Sequence, residues 1–255
     1  QMQSLTKGCD MILHLAALIG IPYSYAAPAA YVSANINGTL NMLEAARNNG
    51  IPKIVVTSTS ETYGTAIYAP IDEKHPMQGQ SPYSATKIGA DKLAESYFLS
   101  FNLPVCIFRP FNTFGPRQSM RAVIPTIITQ ALTSNEIKLG SLSPVRDMVF
   151  VKDTARGFLL AGMEEKSIGE VISVGTGIGA TVGEIAEAIL KILESDKKIV
   201  EDSQRIRPEK SEVFKLICDN TKAKEILNWT PQYTLEQGLR EAIAFIQSNI
   251  NSYEA

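Results

Sequence analysis

The chain has 255 residues, 45% of them hydrophobic and 20% charged, with a formal net charge of −2. That composition suits a soluble chain with one large or two small cores and excludes disorder as a description of the whole. The near balance of acids and bases argues against a nucleic-acid or anionic-membrane surface, which needs clustered Lys and Arg.

In chain order, a strand at 11–15 precedes a helix over 32–49, a strand at 53–57 precedes a helix over 82–101, and a strand at 105–108 precedes a helix over 121–133. A strand at 148–151 then leads into a helix over 152–163, and one at 171–174 into a helix over 181–193. Two late helices, 220–227 and 234–247, are separated by Trp229-Thr-Pro, which stops the first. Strands alternating with helices predict an α/β fold with a mostly parallel sheet covered on both faces. After Asn112 the pattern is less regular, with Pro116, Pro125, Pro144 and a charged stretch at 201–210, as expected of a smaller substrate-capturing lobe.

Ser81-Pro-Tyr-Ser-Ala-Thr-Lys carries the strongest chemical signal. Tyr83 and Lys87 are four apart, so a helix places a phenol and an ammonium one turn apart on one face. Ser81 fits the N-cap and Pro82 the first helical position, which puts Tyr83 in the first turn, where the helix dipole favours negative charge. A phenol needs such help, and that of Lys87, to act as a base near neutrality. The strand at 53–57 ends in hydroxyls, Glu61 and Gly64, and the strand at 105–108 runs into Arg109, Asn112 and Gly115. Ligands of open α/β sheets gather at such carboxyl ends.

Cys9, Cys106 and Cys218 are odd in number and lack C-x-x-C spacing, so they predict neither a disulfide framework nor a zinc site. Only His14 and His75 occur, and no catalytic metal is expected. No apolar run reaches the roughly 18 residues of a membrane span and no basic-then-apolar leader is seen, so a cytoplasmic protein without a membrane partner is expected. Residues 171–180 formally contain G-x-G-x-x-A after a strand, but Thr181 and Glu184 form a capping box that starts the next helix. That stretch reads as a flexible turn, not as a dinucleotide loop.

The ordered set HLAA (14–17), TSTSETYG (57–64), Tyr83-x-x-x-Lys87, RPFNTFGPRQ (109–118), VRDMVFVKD (145–153) and RPEKSEV (207–213) resembles the extended short-chain dehydrogenase/reductase family. Within it the chain looks most like nucleotide-sugar 4,6-dehydratases of legionaminic-acid-type pathways. The resemblance implies a Rossmann-like doubly wound sheet in residues 1–112 and a substrate-binding lobe in 113–255, with about 148–175 returning partly to the main sheet. It also implies that the glycine-rich pyrophosphate fingerprint lies in roughly 60 residues ahead of Gln1.

The cofactor implied is NAD and the partner a nucleoside-diphosphate sugar, on a homodimer. By the same resemblance Tyr83 is the base for the sugar 4-hydroxyl, Lys87 its partner, Thr59 an orienting hydroxyl and Glu61 the carboxylate for C5. Ser60 stands where the familiar dehydratase pattern has an acid. Ala16 and Ala17 let the cofactor approach the strand end, and Asn112, Arg146 and Arg207 hold the diphosphate, with Arg117 and Arg121 as helpers. A C4 epimerase, a sugar-nucleotide decarboxylase and a non-catalytic binding protein are the alternative readings.

Overall fold

The computed structural model describes residues 1–206 and 208–253. A short helix α1 (Met2–Leu5) leads to β1 (Ile12–His14), then α2 (Ile21–Ala26), α3 (Pro28–Tyr31) and, after one π-helical stretch over Val32–Asn37, α4 (Gly38–Asn48). Next come β2 (Ile54–Thr57), α5 (Pro82–Phe101), β3 (Val105–Pro110), β4 (Asn112–Phe114), α6 (Val123–Thr133) and β5 (Ile137–Leu139). β6 (Val145–Phe150), α7 (Val151–Met163), β7 (Val171–Val174), β8 (Gly179–Thr181), α8 (Val182–Ile192) and β9 (Ile199–Glu201) follow, and β10 (Lys215–Leu216), α9 (Thr221–Leu227) and α10 (Leu235–Ser248) complete the order.

The main sheet runs β1-β2-β3-β7 with every pairing parallel. Its strands are apolar almost throughout because both faces are covered. Ile12, Ile54, Val56, Val105 and Ile107 pack with Leu43 and Ala46 of α4 and Ala94 and Tyr97 of α5. The intervening residues Val55, Cys106 and Phe108 face Phe158 and Ala161 of α7 and Trp229 beyond α9. A Cβ on Gly157 would lie 2.7 Å from the Phe108 ring, so only glycine lets α7 approach β3 this closely.

A second sheet, β10-β6-β4 with β8 antiparallel to β6, stands beside a β5-β9 pair. Thus β7 joins the main sheet while β6 does not. Ile124, Ile127 and Ile128 of α6, Ile185 and Ile189 of α8 and Leu239 and Ile243 of α10 form one core with Phe114 and Phe150.

Two local expectations change. The strand expected at 148–151 is longer and earlier, because Phe150 is the extended N-cap of α7 and Val151 already lies in that helix. The helix expected over 32–49 opens with a π turn that aims Asn35 inward. Asn35 Oδ1 accepts from Leu18 N at 2.8 Å, and its Nδ2 donates to Leu18 O and Thr86 Oγ1 at 3.0 Å. One buried amide thereby ties the loop after β1 to α5.

Candidate active site at the carboxyl edge of the main sheet

The site is built by α5. Ser81 Oγ accepts from Ser84 N at 3.1 Å while Ser84 Oγ accepts from Ser81 N at 2.9 Å, closing a capping box with Pro82 in the first turn. The helix ends at Asn102 in the left-handed conformation, φ 53°. Between these stops, α5 lies along β2 and β3 and presents Tyr83 and Lys87, both buried, to the carboxyl ends of the strands. Lys87 Nζ donates to Thr57 O, the last residue of β2, at 2.5 Å. The Tyr83 ring packs edge-on against Tyr31, with centroids 6.3 Å apart, beside Ile21.

After β2 the chain turns through Ser60–Tyr63 as one short 3₁₀ turn, closed by Gly64 at φ +64°, where a Cβ would meet Gln80 Oε1 at 2.5 Å. Thr59 caps this turn, accepting from Glu61 N at 3.3 Å. Ser60 and Glu61 are both buried. The Thr59 hydroxyl and the Glu61 carboxylate both act on the Tyr83 phenol, the first lowering and the second raising its proton affinity.

The electrostatics correct one expectation. Burial pushes the Tyr83 phenol above its ordinary value; the Thr59 hydroxyl pulls it down, while Glu61, Asp91 and Tyr31 push it further up. Burial also pushes the Lys87 ammonium down, against an upward pull from Asp91. His14, at the end of β1, is pushed down to about 4 by burial and then by Lys87. In the free protein burial, not the helix partner Lys87, sets the direction of the phenol, because desolvation penalises the charged form of each group.

The remaining candidates lie around this edge. Ala16 is exposed and Ala17 half-buried just past β1, so neither is a core residue. Asn112 opens β4 two residues after β3 ends, and its buried Oδ1 has no partner among the described residues. Asn112 pairs in register with Met148, which puts Arg146, two residues earlier on β6, on the same side of that sheet. Arg146 is buried, reaches Glu212 at 3.4 Å and lines a pocket of about 270 Å³ with Met148, Thr176, Ile178, Tyr233 and Leu235. Arg207 lies outside the described residues. Arg121 acts on the Tyr31 hydroxyl as a nearby positive charge; Arg117 adopts φ 67° in the loop before α6.

The glycine-rich turn after β7 has another use. The Asp147 carboxylate accepts from Thr176 N, Gly177 N and Cys218 N at 2.8–3.1 Å and from Thr176 Oγ1 at 2.6 Å. Amides already bound to an anion cannot cradle a pyrophosphate. The capping box of Thr181 and Glu184 starts α8 as the residues predict.

A family model described as GDP-mannose 4,6 dehydratase matches residues 3–242. The chain belongs to this family. It is 32% identical over 248 residues to the low-salt glycan biosynthesis protein Agl12 of Haloferax volcanii, covering 96% of this chain and 77% of that one. Among solved structures, DesIV, the dTDP-glucose 4,6-dehydratase of Streptomyces venezuelae with NAD and TYD bound, superposes with a TM-score of 0.90 at 28% identity, covering 99% and 78% of the two chains. UDP-glucuronic acid 4-epimerase of Bacillus cereus in complex with UDP-glucuronic acid and NAD gives 0.90 at 28%, covering 98% and 79%. Both place the α/β Rossmann-like fold beyond question.

For a member of this dehydratase family, the sequence left three site neighbours unnamed. Asp91 follows Lys87 by four residues, a spacing that could have flagged it. Tyr31 reaches the site from α3, where no local pattern announces it; Glu212, 66 residues beyond Arg146, lies in the RPEKSEV segment, but its pairing with Arg146 is set only by the fold. No group of three potential ligands for a metal ion occurs among the described residues, and no helix there is long and apolar enough to cross a membrane.

Proposed function

We propose that this protein is an NAD-dependent nucleotide-sugar 4,6-dehydratase, converting a nucleoside-diphosphate sugar to its 4-keto-6-deoxy form through a 4-keto intermediate. The observation that carries this reading is the convergence of Tyr83, Thr59 and the Glu61 carboxylate at the end of β2. A base for the 4-hydroxyl alone would not need a buried acid beside it.

The residues present fit a nicotinamide cofactor. Ala16 and Ala17 offer little bulk past β1, and Thr57 Oγ1 is buried with no partner among the described residues. Lys87 spends one proton on Thr57 O, which leaves two for ribose hydroxyls. When bound, NAD would supply hydride removal at sugar C4 and return of the same hydride at C6 after water is lost, with C5 reprotonated from solvent.

Tyr83 takes the proton of the 4-hydroxyl, and Thr59 holds the phenol oxygen in line. Because burial raises the phenol, its deprotonation draws on the Lys87 ammonium and on the positive charge of the bound nicotinamide. Glu61 then takes the C5 proton, made acidic by the C4 ketone, as the C6 hydroxyl leaves with a proton as water. Ser60 is a poor proton donor, so Glu61 itself or a water returns that proton. Asn112 and Arg146 are the groups we assign to the diphosphate arm, with the pocket beside Arg146 for the nucleoside, and α4 and α5 are the face we assign to a second copy. The C4 epimerase is the second reading, since it needs the same Tyr83, Lys87 and Thr59, and with no C6 hydroxyl leaving it needs no acid in place of Ser60.

Incubating the protein with NAD and UDP-, dTDP- or GDP-hexoses in deuterated water separates the two. The dehydratase reading expects a 4-keto-6-deoxy product carrying solvent deuterium at C5 by NMR. A C4 epimer without label at C5 would overturn it in favour of the epimerase.

A further inference from the structure

Behind Lys87 lies a buried polar chain that the chemistry above does not use. Asp91 sits one helical turn past Lys87 on α5, and both are buried. Asp91 Oδ2 accepts from Ser58 Oγ at 2.6 Å and from Arg109 Nη2 at 2.7 Å. Arg109 Nε donates to Ser58 Oγ at 3.1 Å, and its Nη1 donates to Tyr63 OH at 2.7 Å. Tyr63 OH shares a 3.0 Å bond with Ser173 Oγ, and Ser173 N donates to the Glu73 carboxylate at 2.7 Å. Three strands and a helix are thus joined below the candidate site.

The contact pattern is specific. Lys87 bonds Thr57 and Asp91 bonds Ser58, so consecutive turns of α5 grip consecutive residues at the end of β2, directly before Thr59. Asp91 Oδ1 is buried with no partner among the described residues, so one oxygen anchors and the other acts by charge alone. A buried ion pair is a poor stability device, often no better than apolar residues of the same volume. Its place one turn from a buried ammonium gives it another use.

We propose that Asp91, clamped by Arg109, is a positioning residue: its carboxylate keeps Lys87 seated on the end of β2 as an ammonium. Among the described residues His14 from β1 and Asp91 from α5 act on or are acted on by Lys87, with Tyr83 one turn before it on α5, and Asp91 brings the compensating negative charge. Tyr83 faces Glu61 from the turn after β2, Tyr31 from α3 and Asp91. Removing the Asp91 charge leaves burial unopposed at Lys87, so the ammonium is lost at lower pH. The same change lowers the phenol, so both limbs of the pH profile move down together.

The test reads Lys87 without substrate or cofactor, so its outcome is separate from the reaction assigned above, on which the kinetic arm rests. In the full chain labelled with ¹³Cε-lysine, with the Lys87 signal assigned through Lys87→Arg, Asp91→Asn is expected to lower the Lys87 titration midpoint and Asp91→Glu to restore it. Since Asp91→Asn strands the Arg109 charge, Asp91→Asn/Arg109→Gln supplies a second variant with the same expected shift. In turnover assays, kcat of Asp91→Asn falls about ten- to a hundredfold with an unchanged KM for the sugar nucleotide. A wild-type Lys87 midpoint in both variants overturns the proposal, whatever their turnover.

Discussion

The ends of β2 and β7 look alike in sequence, each an apolar strand running into hydroxyls and glycine, yet they serve opposite ends. After β7, the turn amides of Thr176 and Gly177 are consumed by the Asp147 carboxylate. After β2, Thr57 Oγ1 is without a partner among the described residues, and Glu61 is buried beside the Tyr83 phenol. A strand-end turn becomes a ligand site only where its polar groups are uncommitted, and the fold decides that through residues far away in the chain.

Breaking the β2 end should cost chemistry. Tyr83→Phe keeps the ring against Tyr31 and removes the proposed base, so turnover should fall by about 10³-fold in steady-state assays while the melting temperature changes little. Breaking the β7 end should cost stability instead. Asp147→Ala leaves three backbone N–H groups without an acceptor, a loss of about 2–4 kcal/mol by urea titration, with retention of NAD unaffected. A loss of NAD retention without destabilisation would reverse the comparison.

A smaller effect sharpens it through pH. His14 falls from 6.5 to about 4 in the folded chain, so its neutral form is the one the fold prefers. The sign follows from linkage: the unfolded chain binds the proton first, so this contribution is present above about 6.5 and is lost as pH falls toward 4. His14→Gln, which can still donate to Thr39, should narrow the stability gap between pH 7 and pH 4.5. An identical gap in wild type and variant would place the acid sensitivity elsewhere.

How much of this was legible in sequence depends on how local its cause is. Both ends of the capping box on α5 lie within four residues, so the 82–101 helix was readable to the residue, and Thr181 with Glu184 likewise fixed the start of α8. The short strands β4, β5, β8, β9 and β10 were not, since two or three residues carry no period. Within the site, Tyr83, Lys87 and Glu61 stood out by type and spacing. Their protonation did not, because burial is a property of the folded chain. Arg109 stands at a strand end in sequence, but its partner Asp91 emerges only when β3 and α5 are packed together.

The most direct measurement is a single turnover of Glu61→Gln with NAD and a sugar nucleotide, following nicotinamide absorbance and product together. If Tyr83 serves C4 and Glu61 serves C5, reduced nicotinamide accumulates and the 4-keto-6-deoxy product is slowed by about 10²-fold or more. Dehydrated product formed at the wild-type rate would contradict the account.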